Sequence, residues 1–197
     1  MSQKLIIGLL ALVAAIGIAL ADEVSKLNPF SYQPFTIKKE NSEIKDYRRN
    51  FVRLTGFEYS GLHWDQFVVI YAKESQPIYQ YNYLEFVRTA LSEDDEEDDS
   101  TPEFKQYNRG DIILKENYDK QQGRPGNPVS LTYMIKREAG YDQENGNWEY
   151  VQLDLQGNTM MRGNTTNPKV KALCFGCHVN IAERDFIFSN FYTKSSK

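Results

Sequence analysis

Apolar and polar positions change period several times along the chain, and each change predicts an element. Gln66-Phe67-Val68-Val69-Ile70-Tyr71-Ala72 is almost continuously apolar and β-branched, the pattern of a buried strand. Residues 51–56 read as a shorter strand ended by Gly56, and 111–116, after Gly110, as another. Segments 129–137 and 147–155 alternate. The Asn145-Gly146 dipeptide between them favours the positive φ values of a type I′ hairpin turn, and Gln156-Gly157-Asn158 closes the second strand. Helical spacing appears at 81–91, through Leu84, Val87, Arg88 and Leu91. Asn167-Pro168 reads as an N-cap followed by proline at the first helical position, opening a helix through Val170, Leu173, Cys174, Cys177 and His178. A helical turn or two fits 42–47, a breaker-rich loop 121–128, and an aromatic segment 185–192. The predicted class is α+β: a mostly antiparallel β-sheet with a few helices, one of them carrying both cysteines near the C-terminus.

Composition refines this picture at three places. Thirteen Tyr and eleven Phe favour sheet and an aromatic-lined interior. Lys4, the apolar run 5–20 and Ala19-Leu20-Ala21 predict a signal peptide over 1–21, cleaved after Ala21, and so export to a periplasm. The competing reading is an uncleaved anchor, for which the apolar run is near the lower limit of length. Residues 22–44, with Pro29 and Pro34, read as an extended arm, 45–192 as a single domain, and 193–197 as a tail. The net charge is −4, and residues 93–99 carry seven consecutive carboxylates within an acidic insertion at 92–103. Such a run must lie in a solvated loop; a calcium site is the sharper reading but its loop spacing is absent, and steering of a basic redox partner is another. Nothing in the charge pattern points to nucleic acid.

The chemistry is concentrated in Cys174-Phe175-Gly176-Cys177-His178. C-x-x-C-H is the spacing at which two thiols add to the two vinyl groups of one haem while the histidine becomes the proximal iron ligand. These are the only cysteines of the chain. A redox C-x-x-C belongs at a helix N-terminus inside a βαβ unit, and a structural zinc site needs four ligands, of which only His63 could add one. The expected cofactor is therefore one covalently bound haem c. Other residues could complete the iron. His63, beside Trp64 in a glycine-flanked turn, reads as a surface histidine or a neighbour of the site; Met134 reads as core, and Met160 and Met161 as loop.

The motif comes late in the chain, and the strand-rich pattern excludes a helical bundle. With Gly110-Asp111-Ile112-Ile113-Leu114-Lys115-Glu116, Asn147-Trp148-Glu149-Tyr150, Cys174 to His178 and Asp185-Phe186-Ile187-Phe188, the sequence resembles the family of cytochrome P460 and the β-sheet cytochrome c′ over roughly residues 45–192. The resemblance implies a homodimer whose five-coordinate haem has His178 as proximal ligand and an open distal side. In cytochrome P460 a lysine is also bonded to the haem macrocycle, and that lysine matches Lys115. On its own Lys115 reads as an ordinary strand lysine, although alternation puts it on the face of Ile113. The family's distal basic residue falls near Val68 and its distal carboxylate near Thr132, so the enzyme's proton acceptor is missing; Phe67 is the candidate lining residue of an apolar pocket. The implied function is to bind or oxidise small nitrogen species (hydroxylamine or NO), with electrons passed to another cytochrome. The alternatives are NO or CO binding without catalysis, and a six-coordinate electron carrier.

Overall fold

The computed structural model describes residues 34–92 and 101–192. The predicted signal peptide, most of the arm, the acidic run 93–99 and the tail 193–197 lie outside the described residues. The apolar runs of the sequence pair because each finds an antiparallel neighbour. Among the described residues seven strands form one sheet: β1 (Val52–Arg53), β2 (Glu58–Ser60), β3 (Gln66–Lys73), β4 (Ile112–Gln121), β5 (Arg124–Lys136), β6 (Trp148–Leu153) and β7 (Thr159–Gly163). Their order is β1-β3-β4-β5-β6-β7, with β2 also paired to β3. Helices α1 (Tyr47–Asn50) and α2 (Gln76–Ser92) flank the early strands. After β7 the chain winds through α3 (Pro168–Val170), a π turn (Lys171–Phe175), α4 (Gly176–His178) and a 3₁₀ turn (Val179–Arg184).

Successive side chains of a strand point to opposite faces, so the central strands feed two cores. Val69, Tyr71, Leu114, Leu131 and Val151 face one side, where Phe35, Ile44 and Tyr47 from the arm and α1 cover them. Val68, Ile70, Ile113, Met134 and Tyr150 face the other, against Tyr79 of α2 and against Val170, Phe186 and Ile187 from the C-terminal segment. Each such side chain contributes about 1.5–3 kcal/mol on burial. The arm side also buries a carboxylate. Glu116 accepts hydrogen bonds from Tyr47 Oη (2.6 Å), Arg48 Nε (2.7 Å) and Tyr118 Oη (2.9 Å).

Several elements depart from the sequence reading. The first strand shrinks to two residues, and β2 and β7 were not anticipated; Met160 and Met161 belong to β7 rather than to a loop. Helix α2 begins five residues before the predicted 81, with Pro77 accommodated in its first turn, where its missing N–H is not needed. Its packing face is the one with Tyr79 and Asn82; Leu84 and Leu91 of the expected stripe are 54% and 69% exposed. The expected breaker loop at 121–128 is a hairpin instead. Gln122 (φ 51°) and Gly123 (φ 77°) supply a two-residue turn, and irregular register lets Pro125 and Pro128 sit in β5 without breaking it. No two-residue turn forms at Asn145-Gly146. Asn145 ends a 3₁₀ turn, and the positive φ values fall on Gly146 (70°) and Asn147 (56°) of a longer loop. The C-terminal helix starts as expected, with Asn167 Oδ1 accepting from Lys169 N at 3.0 Å, but it is interrupted by the π turn rather than continuous.

Candidate functional site

Cys174 lies in the π turn and Cys177 and His178 in α4, so one short segment presents two thiols and an imidazole. They open onto a cavity of about 260 Å³ on the sheet face opposite the arm, walled by Val68, Ile70, Ile113, Lys115, Thr132 and Met134. Two apolar side chains, Leu62 and Phe191, stand at the same cavity. Both thiols are free, and burial pushes that of Cys174 up to about 11.

His178 is buried, and its ring packs edge-on to Tyr150 (5.6 Å) and Phe188 (5.3 Å). Its Nδ1 lies 2.6 Å from the carbonyl oxygen of Phe186. An imidazole donating from Nδ1 keeps the lone pair of Nε2 for a metal. Burial, and the nearby Lys115, push its pKa down to about 3, so it is neutral. The Phe186 carbonyl is itself held in place. Asp185, in a left-handed conformation, takes Lys136 Nζ at 2.5 Å and Tyr107 N at 2.8 Å on its carboxylate, and its carbonyl accepts from Trp148 Nε1 at 2.8 Å. Gly146 completes the support, since a Cβ there would meet the Phe186 ring at 2.6 Å. None of these supports was legible in the sequence, because their partners come from four separate segments.

Lys115 stands between Ile70 and Thr132 in the ladder and is half-buried in the cavity wall. No described residue hydrogen-bonds or pairs with its amine, and burial lowers its pKa to about 8. Thr132 lines the cavity and its hydroxyl accepts from Asn117 Nδ2 at 3.2 Å. Val68 lines it as well. Phe67 does not: strand alternation turns it to the other face, where it packs against the arm-side core and Tyr59. Val68 and Phe67 are consecutive in β3 and cannot share a wall. His63 is a wall residue of the cavity, which places it at the site rather than on the open surface. Met134 lies in the wall too, while Met160 and Met161 do not.

The donor set fits a haem attached through both thiols with iron on His178. Two buried polar atoms in or beside the wall, His63 Nδ1 and Tyr150 Oη, lack partners, as expected where a bound group completes the packing. Among the described residues, no group of three or more His, Cys, Asp or Glu side chains gathers to hold a bare metal ion.

An antiparallel sheet with two thiols and a buried neutral imidazole on one face defines a sheet-built haem protein. The chain belongs to the cytochrome P460 family, whose sequence profile matches residues 64–189. That span includes the cavity wall from Val68 to Met134 and the whole C-x-x-C-H segment. A search of curated proteins finds no match. Membership makes the protein a haem-binding cytochrome.

Proposed function

We propose that the protein is an exported, periplasmic cytochrome with a single haem c and an open iron position that binds or oxidises small nitrogen species, hydroxylamine or NO. The observation that carries this reading is the cavity. It combines Cys174, Cys177, a neutral His178 and an unpartnered Lys115 with walls that are otherwise largely apolar. Haem bound there supplies reversible ligand binding at iron and one-electron exchange. Cys174 and Cys177 would hold the group and His178 Nε2 its iron, while the Phe186 carbonyl keeps the imidazole in one tautomer and orientation. Lys115 is the match for the lysine that cytochrome P460 bonds to its macrocycle, and an amine with a pKa near 8 is a nucleophile at mildly alkaline pH. Electrons from hydroxylamine would pass to another cytochrome, and the functional unit is a homodimer.

A second reading, NO or CO binding without catalysis, is favoured by one feature: no carboxylate lines the cavity among the described residues. Oxidising hydroxylamine requires a group to take its protons. The optical spectrum of the dithionite-reduced protein separates the two. A red-shifted, broadened Soret band that Lys115→Ala returns to the ordinary c-type position supports the modified, oxidising site. An ordinary high-spin spectrum that is the same in Lys115→Ala supports the gas-binding site. A low-spin spectrum unresponsive to NO removes both and leaves an electron carrier.

A further inference from the structure

Among the described residues, His63 and Tyr150 are the two side chains of the cavity with a buried polar atom lacking a partner, and of the two only His63 is carried on a turn rather than in the sheet. The His63 ring lines the cavity, and no other described residue hydrogen-bonds to the buried Nδ1. An unsatisfied buried polar atom is costly, and one that lines a cavity can find its partner in a ligand. The backbone around it is held in a defined and uncommon shape. His63 N donates to Ser60 O at 3.1 Å and Asp65 N to Gly61 O at 3.2 Å, and Trp64 (φ 59°) and Asp65 (φ 57°) both adopt the left-handed region. Left-handed backbone at a tryptophan is costly and persists only where its surroundings impose it. Here the imposing contacts are on view: Asp65 is tied to Tyr59 Oη and, at 2.5 Å, to Lys120 Nζ, while Trp64 meets the His63 ring edge-on at 4.7 Å. The turn spends backbone strain to hold one imidazole at the cavity.

We propose that His63 is the specificity-determining residue of the cavity, donating a hydrogen bond to the ligand that occupies it. The ligand class is a small, neutral molecule with a lone-pair acceptor beside the atom that binds iron, such as the hydroxyl of hydroxylamine or the oxygen of NO. This deepens the proposed function and rests on it. Burial pushes the His63 pKa well down, aided by the charge of Lys115, so the ring is neutral and has one N–H to give. Lys115 and His63 would then differ in role: the first a neighbour of the macrocycle, the second a contact of the ligand.

The test uses the haem-loaded protein and two variants, His63→Leu and His63→Gln, with carbon monoxide as the probe. A donor near bound CO lowers its stretching frequency. The expected result is a higher C–O frequency in His63→Leu, largely restored in His63→Gln, with hydroxylamine affinity weakened roughly two- to tenfold in the leucine variant only. An unchanged C–O frequency in both variants overturns the proposal and assigns the imidazole to the edge of the haem. A wild-type protein that is low-spin and turns high-spin in His63→Leu also overturns it, because His63 would then be an iron ligand. Loss of the parent reading looks different: the wild-type protein itself would fail to bind CO or to carry haem.

Discussion

Lys115 and Glu116 are neighbours in β4, yet the sheet provides for them in opposite ways. Glu116, 1% exposed, sits under the arm with three hydrogen-bond donors on its carboxylate. Lys115, one residue earlier, faces the cavity with no partner for its amine. Both are charged side chains drawn from water, Glu116 fully and Lys115 in part, and a buried charge is costly unless it is compensated. Compensation on the arm face makes Glu116 part of the architecture. Its absence on the cavity face leaves the Lys115 amine without a partner and its pKa lowered to about 8. The same contrast separates Thr132, whose hydroxyl is engaged by Asn117, from His63, whose ring has no such partner. Within one sheet, a charged group on the arm face is fully satisfied while two polar side chains at the cavity are not.

The sharpest way to break this contrast is to remove chemistry from the cavity face without touching the arm face. Cys174→Ala with Cys177→Ala abolishes covalent haem entirely, so acid-acetone extraction removes all colour, while circular dichroism of the sheet is kept. If colour survives extraction, attachment lies elsewhere and the reading of the cavity fails. Next in size is Glu116→Ala, which leaves the buried hydroxyls of Tyr47 and Tyr118 without an acceptor. We expect a loss of about 3 kcal/mol, or roughly 6–12 °C in Tm, with haem still attached. A loss under about 1 kcal/mol would show that the arm face tolerates what the cavity face does.

Smallest is Lys115→Met, measured by denaturant unfolding of the haem-free double-alanine protein. Burial depresses the Lys115 pKa from 10.5 to about 8. Below about pH 8 the folded state therefore carries the cost of a protonated, desolvated amine. Between pH 8 and 10.5 the folded form has released a proton that the unfolded chain still holds, so wild-type stability rises with pH. The methionine variant should be more stable by about 1 kcal/mol at neutral pH, and that advantage should shrink above pH 8. A constant difference across this range would mean the amine is solvated.

The sequence alone was enough to locate the thiols and the imidazole, because C-x-x-C-H is a local motif whose chemistry depends on spacing along the chain. Strand alternation already placed Lys115 on the face of Ile113, and the Asn167-Pro168 cap announced where the last helical segment begins. The β-branched run from Gln66 to Ala72 likewise declared a buried strand, observed as Gln66–Lys73, since burial on both faces writes itself as continuous apolarity. What the tertiary structure decided was which polar groups find partners. Glu116 and Tyr47 are 69 positions apart, and Asp185 and Lys136 are 49 apart. No periodicity reports pairings of that range. The same applies to Phe67 and His63. Which face of β3 meets the cavity decided that Val68 and not Phe67 lines it, and a turn held in left-handed backbone by contacts to β4 brought His63 into it. Local pattern names the elements and the motif; only the long-range register of the sheet says which side chains face the cavity without a partner.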